Sequence, residues 1–461
     1  MPEAHTERVR HPTVRRETLE ALQVGLAGFG TVGTGVAKIL LEEAAWLERR
    51  SGRQVRLKRI ADLDLERDRG VSLEKVQTST RVEDILEDPE IRVLIELMGG
   101  IEPAKSFVLD AIAAGKHVVT ANKALLASHG TELFQAAEAK GVQIGFEASV
   151  AGGIPIVRSL REGLAADRIL SIAGIINGTA NYILSTMTEQ GREFPECLKE
   201  AQEEGYAEAD PSLDIEGQDT AHKLAILIGL ASGVRVHPEE IFTEGIQRMT
   251  GMDIRYAREL GYRIKLLALS KILDGEFEAR VHPTMIPESH LLASVGHAFN
   301  AVYATGRGTG PVMFYGKGAG MMPTGSAVVS DLVSLARNMR PGMSHDLPAL
   351  GFYGQFPQDA RLRPMEELVA KYYMRFPVVD RPGVLSKISG ILGDHGISID
   401  SVIQKGRQQA GPVHIIMLTH EARERDVRHA LEVIDRLEVA LDRSLFIRIE
   451  DSFDPPGLES T

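Results

Sequence analysis

The chain has 461 residues, room for about three domains at roughly 150 residues each, and a chain of that size can bury substantial cores. Its composition, 43% hydrophobic and 25% charged, is that of an ordinary soluble protein, and a formal charge of −12 argues against a general nucleic-acid or anionic-membrane binder, which needs clustered positive charge. The single cysteine, Cys197, excludes an intramolecular disulfide and every zinc site built on two or more thiolates.

Residues 1–20 carry Arg8, Arg10, Arg15 and Arg16 among Glu3, Glu7 and Glu17, with no apolar run behind them. They read as a solvated extension, neither signal nor transit peptide. The longest apolar stretch, residues 224–234, is far short of the ~20 residues that cross a bilayer. The expectation is a soluble, cytoplasmic, multidomain protein.

A short apolar run, 22–27, is followed by Gly28-Phe29-Gly30-Thr31-Val32-Gly33 and then by an amphipathic stretch over 36–48. Strand, glycine turn and helix is the order of a βαβ unit. Further strands are predicted at 55–61, 93–97, 117–120 and 142–146, with helices at 104–114 and 132–140. Strands alternating with helices predict a parallel sheet covered on both faces, a dinucleotide-binding domain over 21–150. From 151 to 310 the pattern is mixed, with strands at 281–285 and 301–306 and an apolar helix at 218–230, which predicts a second, α+β domain. The glycine-dense 306–325 leads to a helix at 326–338, and 311–340 is expected to return to the nucleotide domain. Residues 341–371 hold Pro341, Pro348, Pro357 and Pro364 with little periodicity and read as a linker. Over 372–451 strands at 372–378, 397–404, 413–419 and 445–449 alternate with helices at 383–395 and 424–437, a ferredoxin-like βαββαβ order before a tail at 452–461.

The glycine fingerprint gains meaning from its place after a strand and before a helix. Gly28 permits the tight turn, Gly30 lets the backbone approach a pyrophosphate, and Gly33 lets helix and strand pack closely. Asp62, at the end of the second strand, is the candidate for the adenosine ribose hydroxyls, provided the insert 46–54 is looped out. Arg67 and Arg69 follow it and could neutralise a 2′-phosphate, so NAD and NADP stay open, and a solvated charged loop is the plain alternative. Gly99 follows another strand, and Thr120-Ala121-Asn122-Lys123 lies at the carboxyl edge of the sheet, where ligands sit in open α/β folds. Lys123 there reaches a ligand or is an ordinary surface lysine.

The densest polar cluster runs from Glu208 through Asp210, Asp214, Glu216 and Asp219 to Lys223. Asp219 and Lys223 are four apart on one helix face, a surface pair worth only ~0.3–0.5 kcal/mol if solvated. Lys223 heads an apolar run, however, and a buried ammonium must be paired or functional. Held beside carboxylates it can give or take a proton at an alcohol or aldehyde oxygen, and the acids could hold a substrate ammonium. Cys197, in a helical surface stretch, reads as filler rather than nucleophile, and His222 points to another helix face. In the C-terminal unit, Asp380-Arg381-Pro382-Gly383-Val384 joins strand to helix, a turn whose free N–H groups could hold a carboxylate or a turn satisfied by itself.

Together these motifs, with Ile176-Asn-Gly-Thr-Ala-Asn-Tyr, Gly205-Tyr-Ala-Glu-Ala-Asp-Pro and Tyr315-Gly-Lys-Gly-Ala-Gly, make the chain resemble homoserine dehydrogenase in its long bacterial form, over about residues 23–450. The resemblance implies a Rossmann-type parallel sheet, a mixed α+β catalytic and dimerisation domain and a C-terminal ferredoxin-like ACT domain. It implies NAD(P)-dependent interconversion of aspartate semialdehyde and homoserine, with Lys223 as proton donor or base, Lys123 beside it and Asp219 orienting Lys223. Glu208 and Asp214 would hold the substrate, and Gly178, Thr179 and Tyr206 would line the pocket. The cofactor would meet Gly28, Phe29, Gly30, Thr31, Val32, Gly33, Asp62, Arg67, Gly99, Thr120, Lys123 and Gly325, the last where the family more often has alanine. A structural Na+ is implied at Glu147, Val150, Gly152 and Ile154. The resemblance also implies an amino-acid effector, usually threonine, near Asp380, Pro382, Gly383 and Val384, and a homodimer or homotetramer, with neither nucleic acid nor membrane as partner. The rivals are a hydroxyacid dehydrogenase of the phosphoglycerate type, whose His–Glu pair does not present itself here, and an amino-acid sensor on a nucleotide-binding scaffold, which would have eroded the acid–lysine cluster.

Overall fold

The computed structural model describes residues 19–339, 347–354, 358–404 and 413–453. The expected N-terminal extension to residue 18, the tail from 454, and 340–346 and 355–357 of the expected linker lie outside the described residues.

The first sheet is made of β1 (Leu22–Ala27), β2 (Val55–Ala61), β3 (Gln77–Ser79), β4 (Ile91–Glu96), β5 (His117–Thr120) and β6 (Ile144–Gly145). All pair in parallel in the order β3-β2-β1-β4-β5-β6, so the chain reverses direction across the sheet between β1 and β4. That switch point opens a crevice at the carboxyl ends of β1 and β4, the place where open α/β sheets bind nucleotides. Helices α1 (Thr31–Glu42), α2 (Ala44–Ser51), α3 (Glu83–Leu86), α4 (Ala104–Ala113) and α5 (Lys123–Lys140) cover its faces.

Three expectations change here. Residues 46–54 are not a loop, because α2 occupies Ala44–Ser51, capped by Gly52 and buried through Leu47 and Ser51. Helix α1 begins at Thr31, directly on the glycine turn, five positions before the predicted amphipathic stretch. Helix α5 begins at Lys123 instead of 132, because Asn122 caps it by accepting from the Leu125 N–H at 3.1 Å. Gly130 hides this half of the helix from a pattern reading, yet it is buried and serves packing.

The second sheet begins with β7 (Ile169–Ile175), β8 (Phe242–Thr243), β9 (Tyr262–Leu273), β10 (Glu276–Pro287), β11 (Phe299–Gly306) and β12 (Gly310–Lys317). Its helices are α6 (Ile156–Arg158), α7 (Gly178–Gln190), α8 (Phe194–Glu203), α9 (Ser212–Ile215), α10 (Gln218–Ser232) and α11 (Gly251–Glu259). The return to the nucleotide domain starts later than expected: β12 is still paired with β11, and only α12 (Met321–Asn338) packs back on α1. Cys197 is fully buried on the inner face of α8, a surface helix whose Glu196 and Lys199 are exposed, and burial pushes the thiol up, as suits a structural side chain.

The C-terminal unit is β13 (Val369–Val378), α13 (Val384–Asp394), β14 (Ile399–Gln404), β15 (Val413–Thr419), β16 (Ala422–Arg423), α14 (Glu424–Ile434) and β17 (Leu445–Ile449). Its sheet order β17-β13-β15-β14 is ferredoxin-like. It does not hang from a free linker. Strand β17 pairs in parallel with β10 through Thr284–Arg448 and Met285–Ile449, fusing both into one 11-stranded sheet. The chain leading to it is also laced to the second domain, with Phe277 N–H donating to Arg361 O at 2.9 Å and Arg363 N–H to Phe277 O at 2.8 Å. Backbone hydrogen bonds between segments some 85 residues apart are invisible to a composition argument, which is why Pro-rich text was taken for a linker.

Candidate active site

Gly28 adopts φ +96°, and a Cβ there would stand 2.5 Å from Leu97 O, so only glycine lets β1 turn this close to the chain leaving β4. Gly30 precedes α1 with open space around it, which leaves the helix N-terminus accessible to a phosphate. Gly33 packs on the Gly28 carbonyl. Gly325 lies within the α12–α1 crossing, where a Cβ would meet the Gly35 carbonyl carbon at 2.9 Å and Val36 N at 3.0 Å. That close crossing accounts for a glycine at this position.

At the end of β2, Asp62 accepts from the backbone N–H groups of Phe29 and Asp64 and faces Arg69 at 3.8 Å. The Arg69 guanidinium also lies over the Phe29 ring, 4.8 Å from its centroid. Arg67, singled out with Asp62 from the sequence, is exposed, and it is Arg69 that folds back onto the acid. Thr120 is fully buried, donating to Glu96 at 2.6 Å and accepting from Asn122 N–H at 2.9 Å, so it shapes the edge that launches α5 and Lys123. Gly99 takes φ +74° with open space around it.

Opposite that edge the acid–lysine cluster closes up. Asp219, in the first turn of α10 and nearly fully buried, accepts from Lys223 Nζ at 2.6 Å and lies 3.1 Å from Lys123 Nζ. Two lysines from different domains therefore share one carboxylate. Burial works to raise the Asp219 carboxyl, but the Lys223 and Lys123 charges outweigh it and hold the group well below the ordinary carboxylate range. The Asp219 charge in turn raises Lys123 against its own desolvation, with smaller contributions from Asp214 and Glu208. Lys223 donates a second bond to Ile176 O at 2.8 Å, which fixes its direction.

The sequence motifs gave no role to Asn177, which the structure makes the organiser. Its Oδ1 caps α7 by accepting from Ala180 N–H at 2.8 Å, while Nδ2 donates to Asp214 at 2.7 Å and Asp219 at 2.9 Å. An asparagine at a strand–helix junction was the available signal. Thr179 hydroxyl lies 3.0 Å from the other Asp214 oxygen and donates to Tyr206 O at 2.7 Å. The Tyr206 ring stacks on Tyr182 at 4.5 Å, and Glu208 is exposed on the same loop. Gly178 opens α7 beside them.

Below this, Glu147 is 3% exposed, and its carboxylate accepts from Val157 and Arg158 N–H, both at 2.9 Å. Burial and the nearby Asp331 charge push it up to about 7, and Asp331 itself is raised by burial to about 6. The positive charges acting on these two buried acids are the half-buried Arg158, 3.3 Å from Asp331, and Arg161, and both carboxyls stay raised in spite of them. The loop carrying Val150, Gly152 and Ile154 passes here, with Gly153 N–H donating to Lys317 O at 3.0 Å and Ile154 O accepting from Ile156 N–H at 2.8 Å. A hard monovalent cation fits such a carboxylate-and-carbonyl set. Among the described residues no group of three or more His, Cys, Asp or Glu side chains gathers for a metal. The turn 380–384 is well away in kind: Gly383 caps α13 at φ +90° in the C-terminal unit and takes no part in the acid–lysine cluster.

The profile "Homoserine dehydrogenase, NAD binding domain" matches residues 28–147, "Homoserine dehydrogenase" 155–333 and "ACT domain" 372–439. The homoserine dehydrogenase of Neisseria gonorrhoeae is 44% identical over 436 residues, covering 95% of this chain and 100% of that one. The crystal structure of a homoserine dehydrogenase from Thiobacillus denitrificans superposes with a TM-score of 0.88 at 48% identity, covering 94% of this chain and 99% of that one. A hyperthermophilic archaeal homoserine dehydrogenase in complex with NADPH matches with a TM-score of 0.59 at 26% identity, over 70% of this chain and 99% of that one.

Proposed function

The chain belongs to the homoserine dehydrogenase family, NAD(P)-dependent oxidoreductases, with a C-terminal ACT domain, and from that premise we propose how its residues interconvert L-aspartate 4-semialdehyde and L-homoserine. The carrying observation is Asp219, buried between Lys223 and Lys123. When bound, the nicotinamide supplies or takes the hydride at the substrate carbon. Of the three N–H donors on Lys223, one is committed to Ile176 O and one to Asp219. The third is left for the substrate oxygen, which it stabilises as charge develops and then protonates; in reverse Lys223 receives that proton. Lys123 adds a second positive charge at the same place, and Asp219 keeps both side chains pointed. Asp214 and Glu208 take the substrate ammonium, with Gly178, Thr179 and Tyr206 as the surrounding wall.

Absorbance at the reduced-nicotinamide band, with L-homoserine and NAD or NADP, tests the reaction. Reduction is the expected result. No reduction there, and no oxidation with aspartate semialdehyde in the other direction, leaves the sensor reading standing.

Arg69, stacked on Phe29 and facing Asp62, supports NADP as the preferred cofactor, since a 2′-phosphate arriving there replaces Asp62 as its partner. Arg69→Ala is expected to raise the NADP KM about tenfold, one charge-assisted hydrogen bond, while the NAD KM moves less than twofold. Equal shifts for both cofactors would remove Arg69 from cofactor choice.

For the Glu147 site we propose Na+, held by the Glu147 side chain and the carbonyls of Val150, Gly152 and Ile154 in a structural role. An ion at about one hundred times its Kd stabilises the fold by ~2.7 kcal/mol. The thermal midpoint is therefore expected to be higher in sodium chloride than in tetramethylammonium chloride at equal ionic strength, and Glu147→Gln is expected to erase the difference. An identical midpoint in both salts for the unmodified protein would argue against the ion.

We propose that the expected effector, threonine, binds at Asp380, Pro382, Gly383 and Val384, where the N-terminus of α13 can receive a carboxylate. A homodimer or homotetramer is the proposed assembly, supported by the edge strand β12, which exposes Tyr315 and has no second strand neighbour among the described residues. No helix among the described residues is long and apolar enough to cross a membrane, which agrees with the proposed cytoplasmic location.

A further inference from the structure

The seam between the ACT domain and the catalytic domain is tied by charge, and the tie ends at the active-site turn. Arg448 of β17 is 2% exposed. Its Nε and Nη2 donate to Glu424 at the start of α14, and Nη1 donates to Glu244 Oε2 at 2.9 Å. The guanidinium is clamped between the Phe242 and Phe446 rings, about 5 Å from each centroid by the usual cation–π geometry. Glu424 is completely buried and also accepts from Tyr372 OH at 2.9 Å, so the ACT end of this tie is rigid.

Glu244 follows directly on β8, and its N–H donates to Val281 O at 2.8 Å. The residues on either side of it press on the turn between α9 and α10. Ile246 N–H donates to Ile215 O at 2.9 Å, and Gly245 has no room for a Cβ, which would stand 2.4 Å from the same carbonyl. Thr243 Cγ2 lies 2.9 Å from where a Cβ on Gly217 would be, and Gly217 holds φ +90°. That turn has Asp214 on one side and Asp219 on the other. Both carboxylates share the Asn177 amide at 2.7 and 2.9 Å, so a shift of the turn changes both contacts together.

We infer that Arg448, although it belongs to the ACT domain, is a positioning residue for the active site, setting Asp214 and Asp219 through Glu244 and the 215–217 turn. The inference rests on the proposed roles of those two acids. It also gives the ACT domain a physical handle on the site: any change that moves α14 or β17 moves Arg448, and the Glu244 segment is the part of the catalytic domain that this side chain holds by charge.

Glu244→Gln tests it in the full-chain enzyme, because Glu244 is partly exposed and its loss leaves the Arg448–Glu424 pair intact. The homoserine KM is expected to rise about fivefold, within the range that coupling residues produce, with the cofactor KM unchanged. Amide hydrogen exchange over 212–220 is expected to speed up several-fold while the nucleotide domain stays as it was. Arg448→Lys, which keeps the charge and loses the fork, is expected to move both readouts the same way. Exchange changes confined to 242–246 and the ACT domain, with an unaltered homoserine KM, would overturn the inference. The exchange arm reads the tie even if Lys223→Ala were to keep its activity, so failure of the catalytic assignment is distinguishable from failure of this one.

Discussion

Lys223→Ala is expected to lose turnover by about 10³-fold or more while binding NADPH as tightly as the unmodified enzyme. General acid–base help contributes about 10²–10⁴-fold, and removal of one charge-stabilising donor costs about 10²–10³-fold. Lys223 supplies both, since the same ammonium faces the developing oxyanion and then gives up its proton. The variant keeps its fold for a definite reason: Asp219 retains Lys123 at 3.1 Å and the Asn177 amide at 2.9 Å, so no buried carboxylate is orphaned. Single-turnover absorbance and fluorescence titration of NADPH separate chemistry from binding. Turnover within tenfold of the unmodified enzyme would move the proton chemistry from Lys223 to Lys123. Lys223→Arg is a sharper control, because guanidinium keeps the charge but does not deprotonate, and it is expected to remain severely impaired.

How far this site was legible follows from which signals are local. The Asp219–Lys223 pair stands at helical spacing on an apolar helix, and the structure puts both side chains in one hydrogen bond of 2.6 Å. Spacing could not say that Lys123, 96 positions earlier on the other domain, would reach the same carboxylate, because that meeting is made by the packing of α5 against α10. Asn177 was hidden for another reason: its capping bond is local, but its two acid contacts are across the fold. Most of the parallel sheet was readable because β1, β4 and β5 are short apolar runs closed by glycine or a polar turn, whereas the edge strand β3 is the polar Gln77–Ser79 and carries no such signal. Strand β9 was not, since Tyr262–Leu273 is buried over its middle without alternation, and such a run is indistinguishable by period from a buried helix. The charged loop after β2 shows the same limit at finer scale. The text offered Arg67 and Arg69 equally, and only the backbone path puts Arg69 over Phe29.

Asp253→Ala is expected to cost the protein about 3–5 kcal/mol, the usual consequence of removing one partner of a buried ion pair. Asp253 is completely buried on α11 and serves two structures at once. Within the catalytic domain it closes a capping box with Thr250, which satisfies the first turn of α11. Across the seam it accepts from Arg375 Nε at 2.7 Å and Tyr373 OH at 3.0 Å, both on β13 of the ACT domain. Burial, and after it the Asp253 charge, raises the Tyr373 hydroxyl, which stays a donor throughout the working pH range. Alanine at 253 leaves Arg375 without its buried partner and the hydroxyl without an acceptor, so the loss exceeds that of a cap alone, which is about 1 kcal/mol. Asparagine keeps an oxygen for the cap and for Tyr373 but removes the charge facing Arg375, and is expected to fall between the two. Urea unfolding followed by far-UV circular dichroism measures the order, read as midpoints because a multidomain chain need not unfold in one step. If the asparagine variant unfolds at the midpoint of the unmodified enzyme, the charge across the seam contributes nothing. If alanine falls well below asparagine, and asparagine below the unmodified enzyme, ACT docking depends on a carboxylate and not merely on filled space. The ACT and catalytic domains are then held by two ion pairs across the seam, Asp253 on Arg375 and Glu244 on Arg448, with Glu424 fixing Arg448 from within the ACT domain, and a tie of that kind transmits displacement because the buried charges cannot be left behind without a partner.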